Sequence, residues 1–256
     1  MRITSALATQ DASEPLWGIW SNYADPRVIG SLASSGVPWI CIDEQHGYPP
    51  DDLAASVAAG ASHSTDVLVR VAWNRPELIG RALDAGASGV IVPMIQDAAE
   101  AEAAARSTHY PPSGSRSFGP GRRAFGIDTG YGVPPQGAGP LCLVMIESAD
   151  ALANVDAIAA TDGVDGIFVG PFDLSLALGI SLEELLSDRS ESAPLSRIVA
   201  ACRRANIIAS GYAGATKRAG VLASHGLQLI AATTDDAILR EGYTRLQHEL
   251  AGASPR

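Results

Sequence analysis

The stretch DAGASGVIVP, residues 84–93, carries the pattern that decides the fold. A glycine closes an Ala-containing helical segment, where a left-handed C-terminal cap is expected, and a short β-branched run follows at once. The same arrangement recurs in SSGVPWICID (34–43), TDGVDGIFVG (161–170) and SHGLQLIAAT (224–233). This repeated helix end followed by a strand predicts a chain built from βα units.

Strand-like and helix-like segments alternate along the whole chain. Apolar or β-branched runs predict strands at 16–21, 39–43, 67–71, 89–93, 141–147, 166–169, 207–211 and 228–232. Apolar residues at helical spacing predict helices at 26–34, 50–61, 76–85, 97–107, 149–160, 194–205, 214–224 and 235–250. These units, with no composition break, predict one (β/α)₈ TIM barrel domain over residues 1–256. One long irregular stretch, 110–140, is expected to overhang the barrel or to reach a neighbouring subunit.

Composition excludes several classes of protein. The formal net charge is −10 without a Lys/Arg cluster, so nucleic acid and membrane surfaces are not expected as partners. Three cysteines make no disulfide framework, and Cys41 and Cys142 lie in apolar runs typical of buried thiols. Because neither a secretory leader nor a bilayer-spanning apolar run is found, the expected location is the cytoplasm.

Polar residues at the ends of the predicted strands indicate one site. In barrel enzymes the active site lies at the C-terminal ends of the strands. These ends carry Trp20, Asp43, His46, Arg70, Glu147 and the run Gly170-Pro171-Phe172-Asp173. We therefore expect one imidazole, one guanidinium and well-separated carboxylates to converge at one mouth of a barrel.

Glu147 is the most informative of these residues, because it ends the entirely apolar run 141–146. A carboxylate buried there without a partner is costly. A divalent cation held by Glu147 and Asp173 removes that cost, and two carboxylates with open positions suit Mg²⁺ or Mn²⁺ better than zinc. Simpler interpretations remain open for the others: Asp43 as a cap, Arg70 as a structural arginine in the barrel, and His46 as an ordinary loop histidine.

Five segments, residues 18–47, 67–71, 83–116, 145–179 and 227–239, carry a family resemblance. Together, in order and with matching spacing, they resemble the HpcH/HpaI family of class II pyruvate aldolases. The most specific parts are VPMIQ (92–96) and GPFDLS followed by LG (170–179). The resemblance implies a TIM barrel of the phosphoenolpyruvate/pyruvate-binding type.

The resemblance implies a ketoacid site. Glu147 and Asp173 match the carboxylates that hold the divalent metal, which binds pyruvate as a chelate. Arg70 matches the arginine that contacts the pyruvate carbonyl and steadies the enolate. The backbone amides around Gly170–Asp173 match the loop that receives the pyruvate carboxylate.

The resemblance also implies acid/base groups. His46 matches the histidine that acts as acid and base, and Asp84 matches an aspartate that orients such a histidine as a dyad. Asp43 matches an acidic residue close to the metal waters, and Trp20 matches a tryptophan that lines the mouth.

The implied activity is reversible aldol cleavage of a 4-hydroxy-2-oxo acid to pyruvate and an aldehyde, with Mg²⁺, Mn²⁺ or Co²⁺. No predicted strand end carries a lysine, and Lys217 lies in a helix, which argues against a Schiff-base mechanism. The resemblance also implies a homo-oligomer, a hexamer or trimer of dimers, in which helix 235–250 is available for exchange between subunits.

Three departures bear on the substrate. Met145 stands where the family often has glutamine, and Phe172 stands where a small residue is common. The loop that carries Arg116, Arg122 and Arg123 is unlike the family's. Two interpretations of these arginines remain: they bind an acidic aldehyde, or they pair with surface carboxylates. Two alternatives to the aldolase remain: another enolate-using lyase, acting on malyl-CoA, citramalyl-CoA or oxaloacetate, and a barrel without catalysis.

Overall fold

Eight parallel strands close into a barrel in this computed structural model, which describes residues 3, 6, 7, 14–119 and 139–252. Each strand pairs with the next along the chain, and β8 pairs with β1 to complete the ring. The predicted (β/α)₈ barrel is thereby confirmed, and the predicted strand ends differ from the observed ones by at most two residues. The strands are β1 (Leu16–Ser21), β2 (Trp39–Asp43), β3 (Asp66–Arg70), β4 (Gly89–Val92), β5 (Leu141–Ile146), β6 (Gly166–Val169), β7 (Ile208–Tyr212) and β8 (Leu229–Thr234).

Helices connect the strands and cover the outside of the barrel. Most begin where a Pro or an Asp or Ser cap predicts, as at Asp25, Asp97 and Ser148. Within the described residues they are α1 (Pro26–Ser34), α2 (Leu53–Ala61), α3 (Pro76–Asp84), α4 (Ala98–Thr108), α5 (Ala149–Ala153), α6 (Val155–Ala159), α7 (Pro171–Leu178), α8 (Leu182–Ser187), α9 (Pro194–Ala205), α10 (Thr216–His225) and α11 (Asp235–Gly252).

Two parts of the helix prediction were wrong. The helix predicted over 149–160 is divided into α5 and α6 at Asn154, whose side-chain amide donates to the carbonyl of Gln96 at 2.9 Å. Helices α7 and α8 between β6 and β7 were not predicted. Their signals were present in the sequence, because Pro171 opens α7, Gly179 ends it in the left-handed conformation, and Ser181 forms a capping box with Glu184.

Alternate residues of each strand face the barrel interior, and the others pack against the helices. The interior is filled by large side chains, including Trp39, Leu68, Leu143 and Phe168, all fully buried. The outward-facing set is aliphatic and forms the second, larger core beneath the helices. This period of two fixes which strand residues can reach the mouth of the barrel.

Helix α11 is attached to the first strand by its own first residue. Asp235 is buried and accepts hydrogen bonds from Ser21 Oγ (2.6 Å) and from the backbone N–H groups of Asn22 (3.0 Å) and Tyr23 (3.1 Å). The rest of the helix leaves an apolar stripe exposed, made of Leu239, Tyr243, Leu246 and Leu250. None of the described helices is long and apolar enough to cross a membrane.

Candidate active site

A cavity of about 220 Å³ opens at the C-terminal ends of the strands. Its size, below the roughly 300–1,000 Å³ of sites for drug-sized ligands, suits small substrates. Most of the residues predicted from the strand ends line it. The lining residues are Trp20, Asn22, Asp43, His46, Arg70, Met145, Gly170, Pro171, Phe172, Asp173 and Tyr212.

Strand register explains why the polar groups meet there. Trp39 and Cys41 face the interior, so Asp43 is the next inward residue of β2. By the same count Arg70 follows Leu68 on β3, and Glu147 follows Leu143 and Met145 beyond β5. The polar residues therefore form the top layer of the same interior whose lower layers are apolar.

Asp43 and Arg70 form a buried, two-point ion pair at the floor of the cavity. The Arg70 guanidinium donates from Nε to Asp43 Oδ1 (2.8 Å) and from Nη2 to Asp43 Oδ2 (2.6 Å). Asp43 also accepts from the indole Nε1 of Trp20 (3.3 Å), and the guanidinium carbon of Arg70 lies 4.9 Å from the Trp20 ring centroid. These contacts fix the orientation of Arg70 toward the cavity.

The same contacts set the charge of Asp43. Burial alone raises the pKa of this carboxyl, but hydrogen bonds and charge from Arg70, with backbone N–H groups of Gln45 and His46, bring the pKa below its usual value. Both carboxylate oxygens are thus engaged. Asp43 positions Arg70, and its implied role near metal waters stays a prediction.

Glu147 is buried beside β4 and carries the opposite pKa shift. Its Oε1 accepts a 2.7 Å hydrogen bond from the backbone N–H of Met94, a non-glycine residue with φ of 58°. Burial raises the Glu147 pKa, the Met94 N–H opposes that shift, and the negative charge of Asp173 adds to it. A positive partner would relieve both the burial cost and the repulsion between the two carboxylates.

Gly170 leaves room at the second oxygen of Glu147. A Cβ atom at this position would lie 2.8 Å from Glu147 Oε2, so only glycine keeps that space open. Asp173 is exposed in the first turn of α7, at the rim of the same cavity. The described residues include no group of three or more His, Cys, Asp and Glu side chains suited to one metal ion. Glu147 and Asp173 are hard oxygen donors that would suit a Mg²⁺-like cation, with its remaining positions left to substrate or water.

His46 lines the cavity, whereas Asp84 does not. The His46 backbone N–H donates to Asp43 Oδ1 at 3.3 Å, which places the imidazole at the mouth. Asp84 is the last residue of α3, and this helix runs from the mouth of the barrel back to its opposite end. There Asp84 accepts from Arg116 Nη2 at 2.8 Å. Within one chain, therefore, the His46–Asp84 dyad implied by the resemblance is not formed.

Arg116 is also away from the mouth. Besides its ion pair with Asp84, its guanidinium carbon lies 4.6 Å from the ring centroid of Tyr110. Arg116 is therefore occupied by structural partners and does not line the cavity of its own chain. Arg122 and Arg123, named with it as candidates, lie outside the described residues.

Three site residues were missed from the sequence: Asn22, Met94 and Tyr212. Tyr212 is the last residue of β7, one position beyond the predicted strand end, and it packs edge-on against Trp20 with ring centroids 5.2 Å apart. Counting inward positions from Ser210 would have found it. Asn22 and Met94 lie in segments that carry the family resemblance, but their residue types gave no reason to place them in the site.

Similarity to known proteins extends over most of the chain. The sequence profile of the family described as HpcH/HpaI aldolase/citrate lyase matches residues 16–241. The chain is 35% identical over 212 residues to a hydroxypyruvate/pyruvate aldolase of Roseovarius nubinhibens. The aligned region covers 80% of each protein. It is 41% identical over 168 residues to a 5-keto-4-deoxy-D-glucarate aldolase of Escherichia coli, which covers 63% of this chain and 64% of that protein.

The fold is shared over nearly the whole chain with a solved relative. A crystal structure of an HpcH/HpaI aldolase/citrate lyase family protein from Burkholderia cenocepacia superposes with a TM-score of 0.84 at 31% identity. The match covers 98% of this chain and 99% of that one. The similarity thus extends through all eight βα units.

Proposed function

This chain belongs to the HpcH/HpaI aldolase/citrate lyase family and is a carbon–carbon lyase, and we propose that it cleaves a 4-hydroxy-2-oxo acid reversibly to pyruvate and an aldehyde. One observation carries the proposal. A fixed guanidinium, Arg70, and the Asp173 carboxylate line one small cavity, and the buried Glu147 carboxylate lies directly behind Gly170 of its wall, close enough to feel the charges of Asp173 and Arg70. This is the arrangement needed to bind a ketoacid and to stabilise an enolate.

The reaction develops negative charge on the keto oxygen of the ketoacid. We assign Glu147 and Asp173 as the residues that hold a divalent cation, Mg²⁺, Mn²⁺ or Co²⁺, which when bound supplies Lewis-acid stabilisation of that charge. Arg70 would donate a hydrogen bond to the same oxygen from an orientation already fixed by Asp43. The N–H groups of Phe172 and Asp173, at the start of α7, would receive the ketoacid carboxylate.

Proton transfer is assigned to His46. In the cleavage direction a base takes the proton of the C4 hydroxyl as the C3–C4 bond breaks, the aldehyde leaves, and the remaining enolate takes up a proton at C3 to give pyruvate; in the reverse direction the same base returns a proton to the oxygen of the aldehyde. His46 is the imidazole at the cavity. The chain's single lysine, Lys217, is exposed on α10 rather than at a strand end, so the proposal needs no Schiff base.

We propose that the functional form is a homo-oligomer, a hexamer or trimer of dimers. The exposed apolar stripe of α11 supports this, since a second copy would remove it from water. Because Asp84 lies far along the barrel from His46 of its own chain, a His46–Asp84 dyad would form only between subunits.

The test is exchange of the pyruvate methyl protons in D₂O, followed by NMR, because it requires no knowledge of the aldehyde. We expect exchange with Mg²⁺, Mn²⁺ or Co²⁺ added to metal-stripped protein, and a loss of at least ~100-fold in Glu147→Gln. Glu102→Gln, which changes an exposed carboxylate of α4, is the matched control. A folded protein that catalyses no exchange with any of these metals would contradict the proposal and direct the search to CoA esters or oxaloacetate.

A further inference from the structure

Arg218 lies beside the cavity but takes no part in the chemistry assigned above. It belongs to the first turn of α10, the helix that follows β7. Its guanidinium carbon is 5.3 Å from the ring centroid of Phe172, which lines the cavity and is 39% exposed. The cation therefore stands at the rim of the mouth, on the side formed by β6 and β7.

Two contacts hold Arg218 in place without neutralising it. Its Nε donates a 2.7 Å hydrogen bond to the carbonyl of Ala213, and its face is held by the Phe172 ring. None of the salt bridges among the described residues includes Arg218. A guanidinium held at Nε and on one face keeps its terminal nitrogens in a fixed fork, which matches a carboxylate or a phosphate.

Two other arginines named above differ from Arg218. Arg70 is paired with Asp43 at two points, and Arg116 is paired with Asp84 away from the mouth. Arg218 also acts electrostatically on Tyr212, which lines the cavity. Burial raises the pKa of Tyr212, and the positive charge of Arg218 makes the largest opposing contribution. In a chain of net charge −10, with carboxylates at the site, an anionic substrate needs such a local cation.

We propose that Arg218, held by Phe172, is a specificity residue that binds an anionic group at the far end of the aldehyde. The substrates are then short 4-hydroxy-2-oxo acids that carry a second, terminal carboxylate or phosphate. The small cavity limits their length. This inference rests on the proposed aldolase activity and names the substrate class of the same site.

The test compares kcat/KM for aldehydes of matched length in the condensation with pyruvate. Succinate semialdehyde is compared with butanal, and glycolaldehyde phosphate with glycolaldehyde, so that the two pairs separate a carboxylate from a phosphate. Arg218→Gln should lower the anionic-to-neutral ratio of kcat/KM by roughly 10- to 100-fold, mainly through KM. Lys217→Gln removes one positive charge from the adjacent exposed position and should leave the ratio within about 2-fold.

Arg218→Lys keeps the charge but loses the fork, and we expect it to retain part of the ratio. It also serves as the second variant if Arg218→Gln is poorly folded. An unchanged ratio in folded Arg218→Gln, or a wild type that prefers neutral aldehydes, would overturn the inference. That failure is distinct from failure of the aldolase proposal, because pyruvate exchange by the wild type tests the latter without any aldehyde.

Discussion

At the scale of single residues, the site depends on an arginine whose charge is fully partnered. Arg70 and Asp43 are 9% and 2% exposed in their side chains, and both Asp43 oxygens accept from the guanidinium. Taking two charges out of water is expensive, and the pair offsets that cost only while both members are present. The ion pair therefore holds Arg70 in a fixed position. In return, the stability of the fold depends on both Arg70 and Asp43 being present.

Arg70→Ala should lower the free energy of unfolding by ~3–5 kcal/mol, because it leaves the Asp43 carboxylate buried without its cation. Urea unfolding measures this loss. Arg204→Ala, which removes an exposed partner of Asp156, is the control and should have little effect. A similar small change in both variants would contradict the prediction.

The stabilisation that the Arg70–Asp43 ion pair gives to the fold also depends on pH. The folded protein lowers the pKa of Asp43 below its ordinary value of 3.8, so the stabilisation by the pair is complete above that value. It is lost as the pH falls through the lower pKa of the folded state. In Arg70→Ala, burial without the cation raises the Asp43 pKa, so the difference in unfolding free energy between wild type and variant should begin to shrink as the pH falls through that raised pKa and should continue to shrink down to the lowered pKa of the wild type.

At the scale of elements, the strands position the site through close packing of the barrel interior. Trp39 is fully buried, and its indole Nε1 donates to the carbonyl of Leu16 at 3.1 Å. The ring lies against Gly18 of β1, where a Cβ atom would be 2.1 Å from the Trp39 ring. Because Gly18 has no side chain, the Trp39 ring can lie over β1 inside the barrel while β1 and β2 remain hydrogen-bonded to each other.

Gly18→Ala should destabilise the protein by ~1–3 kcal/mol or more, because neither the strand nor the buried indole has space to move. Gly80→Ala is the matched control: this glycine lies inside α3 with nothing within 4 Å of an added Cβ. Alanine there should stabilise the helix by ~0.5–1 kcal/mol. Chemical denaturation of both variants checks the opposite signs, and equal effects would exclude the steric explanation.

At the scale of the whole molecule, the described part of the chain leaves an apolar stripe uncovered on the last helix. The stripe of α11, residues Leu239, Tyr243, Leu246 and Leu250, is 47–63% exposed in the single chain. The start of this helix is fixed by Asp235 through three hydrogen bonds to the end of β1. Because its start is fixed, the helix presents the apolar stripe in one orientation. A symmetric contact between two copies of this chain needs such a defined surface.

The double substitution Leu239→Gln and Tyr243→Gln should convert the oligomer to smaller species, because it removes half of the apolar stripe. Light scattering coupled to size-exclusion chromatography measures the mass. Arg245→Gln, on an exposed polar position of the same helix, should leave the mass unchanged. If the wild type is itself a monomer at micromolar concentration, the oligomer proposal is wrong.

The sequence alone determined the barrel and most of the residues at its mouth. Glycine caps followed by β-branched runs define βα units, and a period of two along each strand selects Asp43, Arg70 and Glu147 as inward residues. Such local rules depend only on neighbours in the chain, so they can be read without coordinates.

Tertiary structure alone decided the partners of these residues. The Asp43–Arg70 pair, the Met94 N–H bound to Glu147 and the pairing of Asp84 with Arg116 join residues far apart in sequence. Arg218 likewise meets Phe172 only because β6 and β7 are neighbours in the closed sheet. Distances between such groups follow from how strands and helices pack in three dimensions, and no periodicity along the chain encodes them.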